Sequence, residues 1–150
     1  MRYLRFMLPL LAGMAVSQSA MADIVVREVW VRATPGTSRG SAAYALIENL
    51  GSKADRLLQV SSPDAEKVEI HESKSTGGIM SMSPVEMVPV PARDKIALKP
   101  GGFHVMIMGL SRPLKAGERL PLTFSFEFFG DVDVEAMVSP LAASSYPGPR

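Results

Sequence analysis

The chain of 150 residues has no cysteine, one tryptophan and two histidines. Without cysteine there is no thiol nucleophile, no dithiol redox pair and no disulfide. A blue-copper electron-transfer centre is excluded as well, because it needs a thiolate beside two imidazoles. A Ser-His-Asp arrangement is not excluded by two histidines, but no Gly-x-Ser-x-Gly elbow is present. No Gly-rich phosphate loop occurs, and Gly101-Gly102 after Pro100 reads as a turn. His71-Glu72 lacks the second histidine four residues on that a zincin helix requires. There is no basic block, and a near-neutral balance of 16 Lys+Arg against 15 Asp+Glu gives no support to nucleic-acid binding.

The longest apolar run, Phe6–Val16, has 11 residues and contains Pro9, whereas a membrane-spanning helix needs about 20. With Arg2 and Arg5 before it and Ala20-Met21-Ala22 after it, the run reads as a secretory signal peptide over residues 1–22. No cysteine stands at that cleavage site to carry a lipid, and no twin arginine precedes it. The expectation is export of an unfolded chain to the bacterial periplasm, with any metal acquired there. Cleavage after Ala22 leaves 128 residues with 14 Lys+Arg against 15 Asp+Glu, a formal charge of −1. That is one domain's length, long enough to bury a core without covalent staples. We expect a domain over 23–143 and a short disordered tail over 144–150 (SSYPGPR).

After the leader, the chain reads as strands. IVVREVWVR (24–32), AAYALIENL (42–50), RLLQVS (56–61), KVEIH (67–71), IMSMSPVEMVPV (79–90), Lys95–Leu98, Phe103–Met108, LPLTFSFEFF (120–129) and VDVEAMV (132–138) are β-branched, aromatic or alternating. Pro84 and Pro89 restrict their segment to edge or bulged strands. Leu122, Phe124, Phe126 and Phe128 fall on one face, and Asp131, Asp133 and Glu135 form a solvent-facing row. Asp64–Val68 could form one helical turn, and nothing longer is helical. Eight or nine short strands with regular turns indicate an all-β sandwich or barrel.

The chemistry concentrates in one window. Six methionines lie after the leader, and five of them (80, 82, 87, 106 and 108) are near His71 and His104. In Phe103–Met108, Phe103, Val105 and Ile107 share one face, and His104, Met106 and Met108 share the other. Residues two apart on a strand point the same way, about 6.5 Å apart, so two such side chains can lean onto one ion. Met80 and Met82 stand in the same relation, and the glycine-containing stretch after His71 can turn the chain back toward it. Thioethers are soft, uncharged ligands that, with imidazole, suit Cu(I) and are poor for Ca, Mg or Mn. Zinc rarely uses thioethers. Met87, Met108 and Met137 are read as packing residues.

The spacing from His71 through Met82 and His104 to Met106 is H-x10-M-x21-H-x-M. It resembles the signature of the PCuAC-type periplasmic copper chaperones. WVRATPG (30–36), AAYALIEN (42–49), VEIHE (68–72), LKPGGFHVMIMGL (98–110) and LTFSFEFFGDVDVEAMV (122–138) look like that family too. The resemblance implies a cupredoxin-like Greek-key β-sandwich and an exposed Cu(I) site. It implies His71, Met82, His104 and Met106 as ligands, with Met80 second to Met82 because it breaks both spacings. It further implies a non-enzymatic protein that carries copper toward the CuA centre of cytochrome c oxidase subunit II, alongside Sco-type proteins. The His- and Met-rich C-terminal extension of some members is absent from SSYPGPR. Trp30 is read as a core or site-wall aromatic. The rival readings are a metal-independent interaction module, a copper storage or tolerance protein, and a copper redox enzyme.

Overall fold

The structure is a computed structural model and describes residues 20–148; most of the expected leader, residues 1–19, lies outside them. Ten strands occur in chain order: β1 (Ile24–Arg32), β2 (Ser41–Asn49), β3 (Asp55–Ser61), β4 (Ala65–Thr76), β5 (Ile79–Pro84), β6 (Val88–Val90), β7 (Lys95–Leu98), β8 (Phe103–Leu110), β9 (Arg119–Phe126) and β10 (Gly130–Ser139). There is no helix among the described residues, so none is long and apolar enough to cross a membrane. The all-β sandwich expectation holds.

The strands pair in the order β5-β4-β8-β2-β1-β10-β9-β3-β6, with β7 added on β2. All ladders are antiparallel except β1–β10, where Trp30 lies beside Met137. One side of β2 serves two partners: β8 over Ser41–Ala43 and β7 over Ala45–Glu48. The interior takes alternate residues from each strand, among them Val31, Ala43, Ile47, Val105, Ile107 and Phe124, all fully buried. A bulge in β1 between Arg27 and Trp30, with Glu28 at φ 53°, lets Val29, Trp30 and Val31 be buried in succession.

The segment 79–90 is two edge strands, as its prolines require: Pro84 ends β5, and Pro89 sits in β6. Three local expectations are corrected. Asp64–Val68 is not helical, because β4 begins at Ala65 and pairs with β8 there. β4 also runs past His71 to Thr76, and the chain reverses only at Gly77-Gly78. These have φ 59° and 80°, as a two-residue type I′ hairpin demands. Finally, alternation in β9 buries Leu122, Phe124 and Phe126 but not Phe128, which is half exposed in the turn to β10.

That turn is held by Asp55. Its carboxylate is 2% exposed and accepts from the amides of Phe128 (3.0 Å), Phe129 (2.9 Å) and Arg56 (2.7 Å). Hydrogen bonds to a buried charge are each worth about 1.5–3 kcal/mol. Asp55→Ala is therefore expected to lower the unfolding free energy by about 2–4 kcal/mol in chemical denaturation. An unchanged midpoint would show that the turn is held by other contacts.

Candidate metal centre

The candidate ligands arrive on three adjacent strands, β5, β4 and β8. In the β4–β8 ladder His71 lies directly opposite His104, and Glu69 opposite Met106. In the β4–β5 ladder Ser73 lies opposite Met82 and Ser75 opposite Met80. Directly opposed residues share a face, and so do residues two apart along a strand. His71, His104, Met106, Met82 and Met80 therefore lie on one face. Ile70, Val105 and Ile107 occupy the other face and are buried in the core.

The two imidazole rings lie 6.0 Å apart between centroids, inclined at 48°. His104 is almost fully buried. Met106 is half buried, while Met82 is 58% and Met80 60% exposed on the edge strand. Met82, His104 and Met106 line one open cleft of about 350 Å³, shared with Arg32, Tyr44 and the Pro100-Gly101 turn. His71 is not part of the cleft lining; it meets the set through its ring contact with His104. Met80 is also outside the lining, as is Met108, which is half buried opposite Lys67. Met87 is exposed and so does not act as the packing residue expected of it. Trp30 is buried and packs beside the wall residue Tyr44, 4.5 Å between ring centroids.

Each histidine is fixed in a different tautomer. His104 Nδ1 is 2.9 Å from the Gly102 carbonyl oxygen. A carbonyl can only accept, so Nδ1 carries the proton and Nε2 keeps the lone pair. His71 Nε2 is 2.9 Å from a Glu69 carboxylate oxygen and donates to it. Its Nδ1 is then the lone-pair nitrogen, and that atom is buried without a hydrogen-bond partner. An orphaned buried acceptor costs about 1–3 kcal/mol, and an electrophile such as a metal ion is one way to satisfy it. A carboxylate or carbonyl on the far nitrogen is the usual means of orienting a metal-binding imidazole.

Glu69 itself is not a free ligand. One oxygen takes His71 and the other takes Lys67 at 2.8 Å. The His71 hydrogen bond, then that of Lys67, holds its carboxyl below the ordinary value despite partial burial. The contact therefore stabilises the fold above the ordinary carboxylate range and is lost as pH falls through the lowered value. No three His, Asp or Glu side chains among the described residues gather where they could hold a metal. The donors on this face are neutral nitrogen and sulfur, which suits a soft ion. Glu69 was missed in the sequence, although its i, i+2 relation to His71 was a readable signal. Arg32 was missed because only the sheet order brings β1 to this cleft.

The metal-free protein should show the two tautomers directly. Long-range nitrogen–proton NMR of the neutral rings is expected to give Nδ1–H for His104 and Nε2–H for His71. Glu69→Ala should release His71 from that tautomer and leave His104 unchanged. Two Nε2–H rings in the unsubstituted protein would contradict the geometry.

Comparisons with known proteins agree with this architecture. The sequence model of the LpqE-like lipoprotein family matches residues 24–138. A protein of Leifsonia xyli subsp. xyli, also named as a lipoprotein, is 31% identical over 118 residues, covering 77% of this chain and 70% of the relative. An uncharacterized Rickettsia prowazekii protein is 28% identical over 112 residues, covering 72% of this chain and 62% of its own length. Among solved structures, the Cu(I) form of DR1885 from Deinococcus radiodurans superposes with a TM-score of 0.63 at 32% identity, over 85% of each chain. The copper-bound PCuAC domain of PmoF2 gives 0.67 at 25% identity, over 81% of this chain and 97% of that domain.

Proposed function

The chain belongs to the LpqE-like family, the family of PCuAC domains, and from that premise we propose that it is a Cu(I) metallochaperone. The observation that carries the reading is the shared face of β5, β4 and β8. It places His71 against His104 with Met82 and Met106 beside them, and a buried lone pair on His71 has no other partner. Copper is cargo in this reading, not a catalytic group, and the protein is not an enzyme.

Two imidazoles and two thioethers hold a monovalent soft ion without adding ligand charge. The resting complex keeps the ion's single positive charge, so a stronger anionic donor can displace a thioether. Met82 is the natural first ligand to leave, because it stands exposed on an edge strand while His104 is buried. The proposed acceptor is the CuA site of cytochrome c oxidase subunit II, directly or through a Sco-type protein, in the periplasm after leader removal. The rival reading, an interaction module without metal, leaves the convergence of Met82, His104 and Met106 on one cleft without a purpose.

Titration with Cu(I) against a competing chelator is expected to show one tightly held ion per chain. Replacing both ligands of β8 (His104→Ala with Met106→Leu) should weaken it by about 100-fold or more, since loss of even an outer-shell partner costs about 10–100-fold. Affinity should fall as pH is lowered, because ligating nitrogens must be unprotonated. Unchanged affinity in the double variant would sink the assignment. Transfer from the loaded protein to an isolated CuA domain, followed by the acceptor's absorption spectrum, tests the destination separately.

A further inference from the structure

Arg32 stands in the metal cleft without a counter-ion. It ends β1 and lines the cleft with Met82, His104, Met106 and Tyr44. Its guanidinium lies over the Tyr44 ring, 5.6 Å from the centroid. Its Nε is buried and has no hydrogen-bond partner. No carboxylate among the described residues forms an ion pair with it; Arg93 and Arg119 also lack one, but among the described arginines only Arg32 has a buried nitrogen without a partner. No carboxylate lines the cleft, and Glu69, on the same face at β4, has both oxygens occupied by His71 and Lys67.

A half-buried guanidinium is always charged, and charge taken out of water is ordinarily paired. A ring face attracts the cation but accepts nothing from Nε. With a Cu(I) ion held by four neutral ligands, the cleft would carry two positive charges and no anion. We propose that Arg32 is the anion-receiving group of this cleft, and that it recruits the thiolate of a copper acceptor to the ion. This rests on the Cu(I) reading of the site.

The step balances without redox change. The acceptor thiol gives its proton to solvent, because the thiolate is the nucleophile and the ligand. The thiolate sulfur forms a bond to Cu(I), one thioether–copper bond breaks, and the methionine leaves neutral. The charge at the ion falls from +1 to zero as the thiolate comes under the guanidinium. Arg32 is a positioning residue, since it touches neither the ion nor the bond that breaks. The device favours thiolate acceptors over neutral ones, which gives a neutral ligand set selectivity for its destination.

The test is stopped-flow removal of copper from the Cu(I)-loaded protein by two acceptors, glutathione at a pH where its thiolate is populated and the neutral chelator neocuproine. Arg32→Gln is expected to slow removal by glutathione about tenfold and to weaken its dependence on ionic strength. Removal by neocuproine should stay within about twofold, and Arg32→Lys should keep most of the glutathione rate, because it keeps the charge. Equal slowing with both acceptors, or no slowing with either, would overturn the proposal while leaving the Cu(I) site intact. Failure of the unsubstituted protein to load Cu(I) would overturn the site reading itself, and the role of Arg32 with it.

Discussion

The register between β4 and β8 is the constraint on which the site depends. Pairing His71 with His104 sets every other relation, because side chains alternate with a period of two. A slip of one residue would turn His71 toward the core and bring Ile70, now buried, to the cleft. Three features prevent it. Val105 and Ile107 on β8 and Ile70 on β4 are anchored in the interior. The Gly77-Gly78 hairpin fixes β5 against β4, and through that turn Met82 stands opposite Ser73. β2 pairs with β8 over Ser41–Ala43 and with β7 over Ala45–Glu48, so the chain on that side of β8 is held by a strand whose own position is fixed twice.

Rigidity and exposure are divided between the candidate ligands. The two histidines are held by hydrogen bonds on the nitrogen away from the lone pair, one to a backbone carbonyl and one to Glu69. The methionines have no such support. Met106 sits on an inner strand, and Met82 on an edge strand with no neighbour on its far side. In the proposed chaperone reading this gradient would let the two histidines keep their positions while an outer methionine is exchanged. The charge follows the same division. Glu69 is neutralised by Lys67 and His71 on one flank, and Arg32 remains unpaired on the other.

The strands and the core face of β8 were legible in the sequence because both depend on alternation, which is local. Phe103, Val105 and Ile107 face inward as that pattern requires, and the prolines of segment 79–90 fall on sheet edges. The misses have a common origin in cross-strand structure. KVEIH looks like a strand that stops at His71, but β4 continues to Thr76 because β5 pairs with it there. Phe128 continues the alternation of β9 in sequence, yet the amides of Phe128 and Phe129 are drawn to Asp55 and the strand gives way to a turn. Arg32 is far from His104 in the chain, and only the order β8-β2-β1 brings the two to one cleft. The spacing of His71, Met82, His104 and Met106 marked the candidates. The register adds what the spacing alone does not show: all four residues end on the same face of the sheet.

X-ray absorption at the copper edge tests the central claim most directly. The Cu(I)-loaded protein is predicted to show two imidazole nitrogens and two sulfurs around the metal, with one sulfur lost in Met82→Leu and one in Met106→Leu. A shell of nitrogen and oxygen alone, or a sulfur shell that neither substitution alters, would contradict it.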